Sequence, residues 1–134
     1  LGRFFGIPGK VVQGVGRGRQ LGIPTANLEI QEERAHPGSG VYACIVEHAR
    51  QRYQAVTNIG VRPTFENGSV QPTIETHLLD FDADIYDQEI RVSFVERLRA
   101  ERRHASPDDL VAQIEEDIRK TRSILESTLE GENV

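Results

Sequence analysis

Residues 73–79 read TIETHLL and alternate between polar and apolar side chains. Alternate residues of an extended chain share a face, which puts Thr73, Glu75, His77 and Leu79 on one side and Ile74, Thr76 and Leu78 on the other. Its β-branched residues fit a strand as well. The sequence therefore predicts a strand over residues 72–79.

Outward from this segment, the same criteria predict further strands, followed by one helix. The other predicted strands cover residues 10–13, 40–48, 52–58 and 89–95. Beyond residue 98 the apolar period changes, and Leu110, Ile114 and Ile118 recur every four residues. The residues Ser106-Pro107-Asp108-Asp109 provide a hydroxyl N-cap, a proline at the first helical position and acidic side chains at the positive end of the helix dipole.

Short strands followed by one long helix indicate a mainly β fold, either a small antiparallel barrel flanked by a C-terminal helix or a sandwich. Periodicity alone does not separate these two. A length of 134 residues fits one domain. The chain contains no Met, so either a short leader was removed or this is a piece of a longer polypeptide. The linker-like opening favours the second, and we predict residues 1–9 as an entry linker and 10–134 as the folded domain.

Composition narrows the function classes. The net charge of −5 argues against non-specific nucleic-acid binding. No apolar run is long enough to cross a bilayer and no signal pattern begins the chain. The single Cys44 excludes an internal disulfide, and its apolar surroundings favour a core residue over a nucleophile. We therefore predict a cytoplasmic protein with neither a nucleic-acid nor a membrane partner.

Residues 14–27 read GVGRGRQLGIPTAN and form the densest motif. Its glycines allow close approach of a backbone to a ligand, and its arginines could face phosphate oxygens. Taken alone, such a segment is a tight turn more often than a phosphate cradle. Thr25 and Asn27, two residues apart on an extended strand, would point to one side and offer the oxygen ligands that Mg²⁺ accepts.

Glu75 is the second candidate. A glutamate on an alternating strand is usually a solvated residue of the outer face. It becomes a general-base candidate only if its face looks into a site.

The order of motifs along the chain resembles the riboflavin kinase family, specifically the C-terminal kinase module of bacterial bifunctional riboflavin kinase/FMN adenylyltransferases. The matching segments are RGRQLGIPTANL at 17–28, GVYA at 40–43, NIGVRPTF at 58–65, TIETHLLDF at 73–81, DIY at 84–86 and LRAE at 98–101. Family members commonly have a glycine where this chain has Asp87, and an aromatic residue where it has His104. These departures put one turn and the flap near the flavin in doubt.

The resemblance implies a six-stranded antiparallel Greek-key β-barrel with a long C-terminal α-helix. It implies ATP-dependent phosphorylation of riboflavin at the ribityl 5′-hydroxyl, giving FMN and ADP. Glu75 would be the catalytic base, and Thr25 and Asn27 would hold Mg²⁺ beside the ATP phosphates. The remaining implied binding residues are Gly14, Arg17, Gly18 and Gly22 over the nucleotide, Asn58 and Gly60 on the nucleotide side, and Arg99 in a mobile segment near the flavin.

Two other functions stay open at this point. A barrel of this kind could bind flavin or nucleotide without catalysis, or it could bind oligonucleotides, which requires exposed aromatic residues in a basic groove. The resemblance also implies an upstream FMN adenylyltransferase module in the full-length chain. Because this chain lacks the sequence of that module, its product is expected to stop at FMN.

Overall fold

The computed structural model describes residues 5–12, 26–29, 37–63, 70–81, 85–101 and 105–132. These residues form six strands and one helix. The strands are β1 (Phe5–Val12), β2 (Ala26–Glu29), β3 (Gly40–His48), β4 (Gln51–Pro63), β5 (Val70–Leu78) and β6 (Glu89–Arg99), and the helix is α1 (Pro107–Glu132).

The strands close into a barrel in the order β1-β2-β5-β4-β3-β6. Every strand pair is antiparallel. β3, β4 and β5 form a meander, and β6 returns to lie beside β3, which is the Greek-key arrangement. The predicted six-stranded barrel with a C-terminal helix is confirmed, and the sandwich is excluded.

Apolar side chains fill the barrel interior. The core cluster comprises Ile7, Val11, Leu28, Tyr42, Cys44, Val46, Ala55, Ile59, Ile74, Leu78, Ile85, Ile90, Val92 and Phe94. Two buried hydroxyls, Thr57 Oγ1 and Thr76 Oγ1, lie 3.1 Å apart and satisfy each other. Burial raises the pKa of the Cys44 thiol to about 12, which agrees with its predicted place in the core. The core cluster and the Thr57–Thr76 pair therefore present no polar surface to which a substrate could bind.

Helix α1 packs outside the barrel against β3, β4 and β6. Leu125, on the helix, is fully buried. The helix begins as predicted, because the amide of Asp109 donates to Ser106 Oγ at 3.1 Å. In the part of the chain that the structure describes, no helix combines the length and the apolar character needed to span a membrane.

The first strand is longer than predicted. It begins at Phe5 instead of Lys10, and Phe5–Gly9 pair with β6 although they lie within the predicted entry linker. Gly6, Pro8 and Gly9 disfavour a strand by local propensity, but pairing with a long neighbouring strand overrides that preference. The division of the chain into residues 1–9 and 10–134 stays a prediction.

Asp87 shows how the chain tolerates a departure from the family pattern. It has a φ of 70°, in the left-handed region that glycine adopts freely and that Asp tolerates better than most residues. Its amide donates to the Val11 carbonyl at 2.8 Å, and its carboxylate lies 2.9 Å from Lys10 Nζ. The turn therefore keeps a glycine-like backbone without glycine. His104 lies outside the described residues.

Candidate active site

Three predicted site residues stand side by side across three strands. Glu75 on β5 is the direct register partner of Asn27 on β2 and of Asn58 on β4. Directly opposed residues in antiparallel strands have Cβ atoms about 4.5–5.5 Å apart and project from the same face. The fold therefore brings a carboxylate between two carboxamides, which we call the Asn27–Glu75–Asn58 row.

The row lies on the outer face of the barrel wall. The neighbours of Glu75 along β5 are Ile74 in the apolar core and the buried Thr76, and successive residues of a strand alternate in face. Glu75, Asn27 and Asn58 are all half-buried. A half-buried outer position differs from the fully solvated glutamate that strand alternation alone would favour.

Asn58 carries an unsatisfied polar atom within this row. Its Oδ1 is buried and has no hydrogen-bond partner among the residues that the structure describes. Buried polar side-chain atoms are nearly always paired, so an exception at a cross-strand neighbour of Glu75 indicates a place for a donor from water or a ligand. A carbonyl oxygen of this kind can accept a hydrogen bond or contact a hard cation.

A second row lies next to the first and includes a residue that the sequence analysis did not assign. Gly60 pairs with Thr73. A Cβ atom at Gly60 would lie 2.6 Å from Glu101 Oε1 and 3.1 Å from Thr73 Oγ1. The missing side chain of Gly60 thus lets the Glu101 carboxylate lie against β4, one row from Glu75. The LRAE motif had pointed to Arg99 alone within this segment.

Arg99 is held by helix α1. Its Nε and Nη2 donate to Asp117 Oδ1 and Oδ2 at 3.0 and 2.8 Å. Its Nη1 donates to the Ala100 carbonyl at 3.1 Å. In this structure the guanidinium is therefore bound to the helix and not to the Asn27–Glu75–Asn58 row.

The other predicted residues lie outside the described part of the chain. They are Gly14, Arg17, Gly18, Gly22 and Thr25. Their predicted roles at the nucleotide and the metal stay predictions.

The described oxygens are of the chemical kind that a magnesium ion with few protein ligands accepts. Among the described residues, no group of three or more His, Cys, Asp or Glu side chains is placed to hold a metal. Asn27, Asn58 and Glu75 nevertheless offer hard oxygen donors on one face. Mg²⁺ bound with nucleotide typically takes one or two protein ligands and completes its shell with waters and phosphate oxygens.

Comparisons with known proteins identify the family of this chain. The riboflavin kinase (flavokinase) family model matches residues 1–125. This chain belongs to the riboflavin kinase family. The bifunctional riboflavin kinase/FMN adenylyltransferase of Pseudomonas fluorescens is 43% identical over 124 residues, covering 92% of this chain and 39% of that protein. The RNA-binding riboflavin kinase RibR of Bacillus subtilis is 39% identical over 112 residues, covering 84% of this chain and 47% of that protein.

Two solved structures share the fold. Riboflavin kinase from Trypanosoma brucei superposes with a TM-score of 0.65 at 25% identity, covering 92% of this chain and 81% of that one. A chain described as a macrolide-efflux protein from Streptococcus pneumoniae superposes with a TM-score of 0.84 at 36% identity, covering 89% of this chain and 38% of that one. The chain spans 39% of the bifunctional protein of Pseudomonas fluorescens, which is well under half of its length.

Proposed function

We propose that this chain transfers the γ-phosphoryl group of ATP to the ribityl 5′-hydroxyl of riboflavin, giving FMN and ADP. The observation that carries the proposal is the cross-strand register that sets Glu75 between Asn27 and Asn58. The substrates are proposed from family membership. The reaction is proposed to occur at this face of the barrel because the register brings the three side chains together there.

Glu75 is proposed as the general base. Its carboxylate accepts the proton of the 5′-hydroxyl while the hydroxyl oxygen forms a bond to the γ-phosphorus and the bond to the β-phosphate oxygen breaks. No phosphoenzyme forms. Phosphoryl transfer needs alignment and charge stabilisation more than covalent help, so one base between two amide side chains is chemically sufficient.

Asn27, with Thr25, is proposed to hold Mg²⁺. The ion would neutralise charge on the β- and γ-phosphate oxygens. Neutral side-chain ligands leave the ion its full charge for those oxygens. The carboxamide of Asn27 neighbours Glu75 directly, so a bound phosphate group and the acceptor hydroxyl can be held within one short span of the wall.

The remaining partner and location proposals follow from sequence. Gly14, Arg17, Gly18 and Gly22 are proposed to cover the nucleotide. The relatives' names support an upstream FMN adenylyltransferase module in the full-length chain.

RNA binding is part of the name of one relative. For this chain the net charge of −5 favours no nucleic-acid partner, and a salt-dependent shift with single-stranded RNA would contradict that. A cytoplasmic location stays a prediction.

The proposal is tested by incubating the chain with riboflavin and Mg-ATP and separating the flavins by chromatography. Glu75→Gln is nearly isosteric and cannot accept the proton, so kcat should fall by about 10²–10⁴-fold with little change in riboflavin affinity.

The matched control is Glu96→Gln, an exposed glutamate on β6, which should keep wild-type turnover. Absence of FMN with the wild-type chain would leave a flavin-binding barrel without catalysis. Near-normal turnover of Glu75→Gln would remove Glu75 from the mechanism.

A further inference from the structure

We infer that Asp117 is a positioning residue for the proposed phosphoryl transfer. It anchors Arg99 so that residues 99–101 hold the Glu101 carboxylate over Gly60, next to the Asn27–Glu75–Asn58 row. This inference rests on the proposed function. It concerns a helix residue that would touch neither substrate.

The first step is the contact between Asp117 and Arg99. The side chain of Asp117 is 2% exposed and that of Arg99 18% exposed, with Arg99 Nη2 2.8 Å from Asp117 Oδ2. Arg99 Nε binds the other carboxylate oxygen, and Gln113 Nε2 donates to that same oxygen at 3.2 Å. A two-point fork between planar groups fixes direction as well as distance.

The second step is the short connection from Arg99 to Glu101. Arg99 is the last residue of β6, and its Nη1 also holds the carbonyl of Ala100. One residue then separates it from Glu101, whose Oε1 lies 2.6 Å from the Cβ position of Gly60. Only the backbone dihedral angles of Ala100 and Glu101 and the side-chain torsions of Glu101 separate this anchor from the carboxylate, so the position of Arg99 limits the region that Glu101 Oε1 can reach.

The third step is that helix attachment does not explain the Asp117 pair. Arg122 on the same helix makes a second two-point pair with Asp80, at 2.9 and 3.2 Å. That pair is largely exposed, with 42% of Arg122 and 77% of Asp80 accessible. Burying an ion pair gains little net stability because both charges lose water. The pair lies at the end of β6 where Arg99 is paired with Val41, and Val41 is in turn paired with Asn58 of the row. A buried pair at this end is better explained by the geometry that it imposes.

The positioning role and a direct role of Arg99 predict different mutant patterns. If Arg99 leaves Asp117 to touch flavin, removing Arg99 deletes a ligand contact that removing Asp117 does not delete. If Arg99 acts through its anchor, either change has the same effect and the two changes together add nothing. A double-mutant cycle separates these cases.

The experiment compares Asp117→Asn, Arg99→Gln and the double variant with wild type, measuring kcat, KM for riboflavin, KM for ATP and the thermal unfolding midpoint. Each single variant should lower kcat/KM for riboflavin about 10–100-fold, the range expected when a group is misplaced by about 1 Å. The kcat/KM of the double variant should equal that of the less active single variant. Arg122→Ala, which removes the exposed pair on the same helix, should leave kcat/KM unchanged.

Gly60→Ala provides a readout that leaves the ion pair intact. The added methyl group would overlap Glu101 Oε1, so this variant should reproduce the loss in kcat/KM while Arg99 and Asp117 stay paired. It decides the matter if Asp117→Asn fails to fold: a Gly60→Ala variant with wild-type kcat/KM would overturn the inference.

The outcomes separate the inference from the proposed function. A wild-type chain that makes no FMN overturns the proposed function, and the inference falls with it. An active wild-type chain whose single-variant losses multiply in the double variant, or whose Asp117→Asn variant is as active as Arg122→Ala, overturns the inference alone.

Discussion

Side-chain surroundings distinguish Glu75 from an ordinary strand glutamate. A glutamate on the outer face usually projects into water, whereas Glu75 is half-buried and has a carboxamide residue opposite it on each neighbouring strand. The adjacent Asn58 Oδ1 is buried and has no partner in the described part of the chain. A half-buried carboxylate with carboxamide residues opposite it and an unpaired oxygen nearby has the surroundings expected of a candidate site.

Asn27 should affect the metal more than the fold. It is half-buried on a four-residue strand, so Asn27→Ala removes a polar group without opening a core cavity. We expect the Mg²⁺ concentration for half-maximal activity to rise about ten-fold or more, as is typical when a metal site loses part of its support. The measurement is a Mg²⁺ titration of FMN formation at saturating riboflavin.

Asn58→Ala is the matched control because it removes the same carboxamide from the other neighbour of Glu75. It should raise the apparent KM for ATP and shift the Mg²⁺ requirement less than Asn27→Ala does. A wild-type Mg²⁺ titration for Asn27→Ala would show that Asn27 is not a ligand.

At the scale of elements, local sequence predicted some boundaries well and others poorly. β3 was predicted with its observed bounds, Gly40–His48, because its apolar run is continuous. The helix start at Ser106 carries its own capping chemistry and was also predicted. The start of β1 was missed because Gly6, Pro8 and Gly9 resist extension locally, whereas pairing with the long β6 holds them in the sheet.

The site itself depends on register, which local sequence does not contain. Strands β3 and β4 and the first part of β5 lie between Asn27 and Glu75 in the chain. The two residues are nevertheless direct partners in the sheet. The resemblance to a family supplied Glu75 as base and Asn27 as metal ligand, but gave no geometry. Glu101 was missed because its place over Gly60 follows from the end of β6 and its helix anchor, which have no local signal beyond the LRAE motif.

The N-cap of α1 gives a prediction at the element scale. Ser106 Oγ accepts from the amide of Asp109, and its carbonyl accepts from the amide of Leu110 at 3.1 Å. Ser106→Ala removes only the first bond, so the free energy of unfolding should fall by about 1 kcal/mol. Urea unfolding followed by circular dichroism measures this change.

Ser106→Asp is the control, because a carboxylate can cap the same amide and should retain most of the stability. If Ser106→Ala and Ser106→Asp both unfold at the wild-type urea midpoint, the cap contributes nothing to this domain.

At the scale of the whole molecule, the Asn27–Glu75–Asn58 row lies outside the barrel core, and one of its strands also contacts helix α1. The interior is filled by the apolar cluster, and α1 packs against β3, β4 and β6. The Asn27–Glu75–Asn58 row crosses β2, β5 and β4 on the outer face. The helix therefore borders the row and reaches it through Asp117, Arg99 and Glu101, so that the same contact which packs the helix can adjust the site.

The last prediction concerns which flavin this chain produces. FMN forms by attack on the γ-phosphorus of ATP with ADP leaving, whereas FAD requires FMN to attack the α-phosphorus with pyrophosphate leaving. The two reactions need different alignments of the same nucleotide. The family model for the first reaction matches residues 1–125, while the chain covers only 39% of a relative named for both activities. We therefore expect the 134-residue chain to stop at FMN.

The measurement is chromatography of the flavins after long incubation with excess Mg-ATP, once starting from riboflavin and once from FMN. Riboflavin should be converted to FMN with one ADP formed per FMN, and added FMN should remain unchanged with no pyrophosphate released. A bifunctional relative in the same buffer is the control, because it shows that FAD would accumulate and be detected under these conditions. FAD from the 134-residue chain would mean that the barrel wall can also align the α-phosphorus, and a single row built around Glu75 could then not account for the whole activity.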